Sequence, residues 1–264
     1  MRYTSPLLVF IIDLLSFEGR VAPSHRQDSE SDMPAFRLTQ PQATRLRAIV
    51  RHYKPQMTSS WRRRSPDDLW VRVLSQIVVA GNAAPGDTLR TSEAVKEKLA
   101  FHRLKRLTPK RRRKVIHAVL HAIGTRYVGR SVKNKKIDAA LHNFDELVRA
   151  GGPERFFKRV ASMKSVEERL KFLSTTLAFY KKKGCRDILI DLRLASDCLA
   201  LDRRLNRILQ CVGAQVPRSL NRHYEEIERE LIEKVAKPSG LSGGKLDRVL
   251  FQNYGDIMVR LLCP

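Results

Sequence analysis

Residues 178–209 read AFYKKKGCRDILIDLRLASDCLALDRRLNRIL. Two stretches with helical apolar spacing lie close together here, and Lys181, Lys182, Lys183 and Gly184 stand in the short connection between them. A helix ending near Tyr180, a glycine-containing turn and a second apolar helix over about 186–194 make a helix-hairpin-helix. Such a turn aims backbone N–H groups at a phosphate, and Lys181, Lys182 and Arg186 add charge that grips the backbone without reading bases. Further on, Asp202 stands directly before the amphipathic run RRLNRIL. An aspartate there is a good N-cap. A carboxylate close behind a phosphate-gripping turn is also a candidate for chemistry.

The rest of the chain follows the same helical grammar. In RRRSPDDLWVRVLSQIVVAGN, Ser65 caps, Pro66 opens the helix, Asp67 and Asp68 suit its first turn and Gly81 stops it. Leu69, Val73 and Ile77 share one face, with Trp70 and Leu74 beside it. LTPKRRRKVIHAVLHAIG repeats the pattern, with Thr108 as cap and Val115, Ile116, Val119, Leu120 and Ile123 as the buried stripe. Its five leading cations, Lys110 to Lys114, oppose the helix dipole, which a nearby polyanion would relieve. Further helices are expected at about 133–149, 153–162, 165–180, 203–212, 221–236 and 243–261. Ser165 and Glu168 form a capping box for the third of these. No stretch alternates apolar and polar residues as a half-buried strand would, so the fold class is all-α.

Lys and Arg number 51 against 27 Asp and Glu, a net charge of +24 on 264 residues, and 42% of the residues are hydrophobic. The core is large enough for a globular fold, and the charge points to nucleic acid as the partner. Cys185, Cys198, Cys211 and Cys263 are scattered, without the spacing of a zinc site or an iron–sulfur loop. His117 and His121 share a helix face but lack a third ligand, so neither a metal nor a cofactor is expected. Residues 1–32 stand apart. PLLVFIIDLLSF is too short to span a bilayer and makes a poor signal peptide, and the polar run after it cannot order itself. This segment holds three arginines against five acidic residues, net −2, so residues 33–264 carry +26. We read it as a disordered leader or an overextended start, with Met33 as the true first residue.

The hairpin, Asp202 at its distance from it, and the tryptophan-bearing DDLWVRVLSQIVVAGNAA resemble the helix-hairpin-helix DNA glycosylase superfamily, the endonuclease III and 8-oxoguanine glycosylase relatives. The resemblance runs over roughly residues 66–262. It implies two helical subdomains, residues 86–201 carrying the hairpin at about 165–194, and residues 34–85 together with 202–264, with DNA across the cleft between them. It also implies a monomer that acts on double-stranded DNA containing a lesion, hydrolysing the N-glycosidic bond of a flipped base in base excision repair. No membrane takes part. The location would be the cytoplasm or nucleoid of a prokaryote, or the nucleus of a eukaryote, and not the secreted space.

By the same resemblance Asp202 is the catalytic aspartate that stabilises positive charge on the sugar, with Arg203 and Arg204 touching flanking phosphates. Bifunctional members carry a hairpin lysine that attacks C1′ and leads to strand cleavage. The usual G-x-G-x-K becomes KKKGCRD here, so the lysine position falls on Lys183 or on Gly184, and Lys182 is a substitute from a shifted hairpin. The cysteine pattern matches the cluster-free branch, 8-oxoguanine-type enzymes that act on oxidised purines. Gln76, Asn82, Phe251 and Tyr254 are candidates for the base pocket. The competing reading is a helix-hairpin-helix protein that binds DNA and has lost its chemistry.

Overall fold

A computed structural model describes residues 36–262 apart from Val132 and Arg218, so the leader and Met33 lie outside the described residues. The described chain is helical, without strands. Its α-helices run α1 Gln40–Val50, α2 Pro66–Val78, α3 Ala84–Thr91, α4 Glu93–Lys98, α5 Phe101–Lys105, α6 Pro109–Ala122 and α7 Lys135–Arg149. They continue as α8 Pro153–Ser162, α9 Val166–Thr176, α10 Lys182–Asp191, α11 Arg203–Cys211, α12 Tyr224–Leu231, α13 Gly243–Gln252 and α14 Tyr254–Leu262. None is long and apolar enough to cross a membrane.

The caps read from the sequence form. Ser65 accepts from the amide of Asp68 at 3.1 Å and Ser165 from that of Glu168 at 3.1 Å. Glu168 reaches back one residue further than a capping box requires, to the amide of Lys164. Some expected helices differ in extent. The one starting at 165 ends at Thr176 rather than Tyr180, and the one expected over 243–261 breaks at Asn253 into α13 and α14.

Apolar burial gathers into two clusters. The first is centred on α2, where Leu69, Trp70, Val73, Leu74 and Ile77 are fully buried and the Trp70 indole meets the Phe144 ring edge-on at 5.3 Å. The second joins α1 to α11, α12, α13 and α14. The apolar face of α2 packs against α7 and α8 in the first cluster, whereas α1 packs with the C-terminal helices in the second.

The extended segment 198–201 is the seam between the clusters. Its side chains alternate, as an extended backbone makes them, so that Cys198 and Ala200 enter the first cluster while Leu199 and Leu201 enter the second. The N-terminus of α13 lies directly on this seam. A Cβ at Gly243 would stand 3.0 Å from the amide nitrogen of Cys198 and 3.1 Å from its carbonyl oxygen, so a side chain there would press on the seam backbone where glycine does not.

The basic run at the start of α6 is not a uniformly solvated face. Arg112 is buried, donating to the carbonyls of Leu104 and Leu107 and to Asp145 while its guanidinium lies over the Phe144 ring at 4.3 Å. Val115 and Ile123, expected in the core, are only partly buried and line an open apolar groove.

Candidate active site

Asp202 is the N-cap of α11, with Oδ1 accepting from the amides of Arg204 at 2.9 Å and Leu205 at 3.0 Å. The three residues before it lack the backbone partners of a sheet or helix, yet their buried amides must be satisfied. Each is caught by a side chain from another element. The amide of Leu199 donates to Glu228 at 2.8 Å, that of Ala200 to Asp247 at 2.9 Å, and that of Leu201 to the Tyr224 hydroxyl at 2.7 Å. Tyr224 donates in turn to the carbonyl of Leu199. The position of Asp202 is therefore set by α12 and α13 as well as by its own helix.

The hairpin differs from its sequence reading. The connection is residues 177–181, with Phe179 in the left-handed region at φ 67°, and α10 begins at Lys182. Gly184 is therefore not the turn residue but sits in the first turn of α10, where a Cβ would stand 3.3 Å from the Gln76 side-chain oxygen. The helical period gives α10 two working faces. Lys183, Asp187 and Asp191 recur at four-residue spacing on one, Lys182 and Arg186 on the other.

The second face is structural. Arg186, expected at the DNA, is buried and makes a two-pronged ion pair with Glu228 at 2.8 and 2.6 Å, its guanidinium lying 4.4 Å from the Tyr224 ring centre. Burial works against the Arg186 charge, and Glu228 more than restores it. Lys182 is tied to Glu225 at 2.8 Å and to the carbonyl of Asn221 at 3.0 Å. Lys181 is exposed, as is Arg203.

The first face opens on a cavity of about 580 Å³, within the ~300–1,000 Å³ range usual for ligand pockets. Lys183 and Asp202 both line it, with Gln76 and Phe251 as further walls. Lys183 donates to Asp187 at 3.0 Å, and Gln76 donates to the same carboxylate oxygen at 2.8 Å. Burial would raise the Asp187 carboxyl, but the Lys183 ammonium, the Gln76 amide and Arg248 together hold it below the usual carboxylate range. Phe251 is 46% exposed and carries the Arg204 guanidinium 4.6 Å from its ring centre. Two of the expected pocket residues do not line this cavity. Asn82 is exposed and caps the amide of Ala84 at 3.2 Å, and Tyr254 packs against the C-terminal cluster. His117 is used locally, donating to the carbonyl of Gly129.

Sequence reasoning missed Asp187, Arg248 and Asp247. The first was recoverable, since Asp187 lies one helical turn after Lys183. The other two were not, because only the packing of α13 onto the seam brings them near Asp202. Burial first, and then the charge of Asp187, push the Asp247 carboxyl up to about 7. A carboxyl raised in the folded state favours the protonated form, so its cost grows as pH climbs from about 4 to about 7 and stays constant above. Asp247→Asn, whose amide oxygen can still accept from Ala200, should stabilise the protein more at pH 8 than at pH 5, by at most about 3 kcal/mol on linkage. Urea unfolding of both proteins at the two pH values checks this, and equal changes at both would contradict it.

No protein-family model and no curated protein matches the chain. Solved structures do. The 8-oxoguanine DNA glycosylase of Methanocaldococcus jannaschii superposes with a TM-score of 0.59 at 15% identity, covering 81% of this chain and 94% of that one. The glycosylase/lyase of the same organism, in complex with a 15mer DNA containing 8-oxoguanine, superposes at 0.55 and 14% identity, covering 82% and 89%. The 8-oxoguanine DNA glycosylase of Thermotoga maritima superposes at 0.53 and 15% identity, covering 80% and 86%. The chain shares the fold of these proteins.

Proposed function

We propose that this chain is a DNA glycosylase of base excision repair, taking a flipped damaged base, an oxidised purine, into the cavity between α10 and α13 and cleaving its N-glycosidic bond. The observation that carries the reading is the meeting of Lys183 and Asp202 on one cavity, reached from a hairpin and from a helix cap that are 19 positions apart in the chain. Both sides of the chemistry then have a group. Asp202 offsets the positive charge that develops on the sugar as the base leaves. Lys183 attacks C1′ after losing a proton, displaces the base and forms the Schiff base from which the strand is cut. Its ion pair with Asp187 positions the ammonium before that proton is given up.

The hairpin register supports Lys183 over its neighbours. In G-x-G-x-K the first glycine meets a backbone need for positive φ. The residue with positive φ in this connection is Phe179, and counting the pattern from it favours Lys183 as its lysine, with Lys181 at the second glycine. Lys182 points to the other face, where Glu225 holds it. The amides opening α10, with the exposed Lys181, suit a phosphate of the bound strand.

Borohydride trapping tests the reading. Duplexes carrying 8-oxoguanine, uracil, thymine glycol or an abasic site are incubated with the protein and assayed for base release and a covalent adduct. Lys183→Gln should eliminate the adduct while leaving measurable base release through Asp202. An adduct of undiminished yield would move the nucleophile elsewhere. Release from no duplex, with salt-sensitive DNA binding retained, would leave a DNA-binding module without chemistry.

A further inference from the structure

Arg248 lies on α13 one residue after Asp247 and lines the same cavity as Lys183 and Asp202. It is 9% exposed, and its charge is balanced by Asp187 and Asp191 at 3.8 and 3.7 Å. Those separations suit an ion pair but exceed a hydrogen bond. Arg186 shows what a spent guanidinium looks like in this protein, bonded at 2.6 and 2.8 Å through two nitrogens to one carboxylate. By contrast, Nε and Nη2 of Arg248 have no hydrogen-bond partner among the described residues. Buried donors left unspent are costly, and these belong to a residue that lines an open cavity, where a guest that reaches the guanidinium can supply the missing acceptor.

Building on the glycosylase reading, we propose that Arg248 is a specificity-determining residue that donates hydrogen bonds to a ring carbonyl of the extruded base. A guanidinium only donates. An oxo group facing it is bonded, whereas an amino group in the same place sets donor against donor and leaves both unsatisfied. Asp187 stands beside it as an acceptor, its free edge turned to the same guanidinium and its other contacts already made by Lys183 and Gln76. The pair selects bases by their carbonyls, and Phe251 supplies the apolar face on which any of them can stack. Arg72 and Asp191, which meet at 3.2 Å on the neighbouring wall, keep the second carboxylate engaged so that Arg248 is not drawn fully onto it.

The test uses duplexes with uncleavable 2′-fluoro nucleotides bearing 8-oxoguanine, guanine, 8-oxoadenine or adenine, which present carbonyls at C6 and C8, at C6 alone, at C8 alone, or at neither. Binding to the native protein should rank with the carbonyls, and Arg248→Met should compress the span between the best and the worst by ~10–100-fold. Arg248→Lys, which keeps one donor, should restore part of it. Affinity for a duplex holding a reduced abasic nucleotide, which offers no base to Arg248, and the thermal midpoint serve as controls that a merely structural loss would move and a lost base contact would not. A native protein that does not rank the four, or an Arg248→Met protein that keeps the native ranking, overturns the proposal. Base release from the cleavable versions is measured in parallel. Ranked binding without release would sink the glycosylase reading while sparing the role of Arg248.

Discussion

Asp202→Asn should release base at least ~10²-fold more slowly than the native protein, with DNA affinity and thermal stability close to unchanged. The separation is expected because the residue has two duties that draw on different properties. As N-cap it needs one oxygen to accept from the amides of Arg204 and Leu205, and an asparagine oxygen does that equally well. In the proposed chemistry it needs a negative charge facing the sugar, which the amide lacks. A single-turnover assay on the lesion duplex that responds best, with a melting curve alongside, reads both duties. An unchanged rate constant would remove Asp202 from the chemistry, and a large loss of stability would show that the cap depends on charge.

Glu228→Ala should cost about 3–5 kcal/mol of folding stability, far more than a typical surface carboxylate. It leaves the buried Arg186 guanidinium without its two-pronged partner and the amide of Leu199 without an acceptor. Glu228→Gln keeps an oxygen for Leu199 but cannot accept through both positions from Arg186, so its loss should fall between the native protein and Glu228→Ala. Urea unfolding of the three proteins gives the series. A loss under about 1 kcal/mol for Glu228→Ala would mean that Arg186 finds another counterion. The pair has a second consequence. Arg186 lies on α10, three residues after Lys183, and Glu228 holds the segment that ends at Asp202, so one ion pair braces the two halves of the candidate site against each other.

Much of this protein is written in local sequence. Ser65–Pro66 and Thr108–Pro109 open α2 and α6, the spacing of Leu69, Val73 and Ile77 forecasts the face that is buried, and the sequence distance from the hairpin to Asp202 brings both into the candidate site. These are properties of caps, helical period and chain distance, which a residue carries with little reference to the rest of the fold. What a cation does is not local. Lys182, Lys183 and Arg186 look interchangeable in KKKGCRD, yet the helical period sends Lys183 to the cavity and the other two to Glu225 and Glu228, more than 35 positions downstream. The left-handed turn at Phe179 was equally hidden, because no glycine marks it. Asp247 and Arg248 come to the site only because Gly243 lets α13 press onto the seam at Cys198, a contact between segments some 45 residues apart. Backbone propensity is set within a few residues, whereas the partner that spends a charge or leaves it available is chosen by packing, and only the tertiary structure decides that.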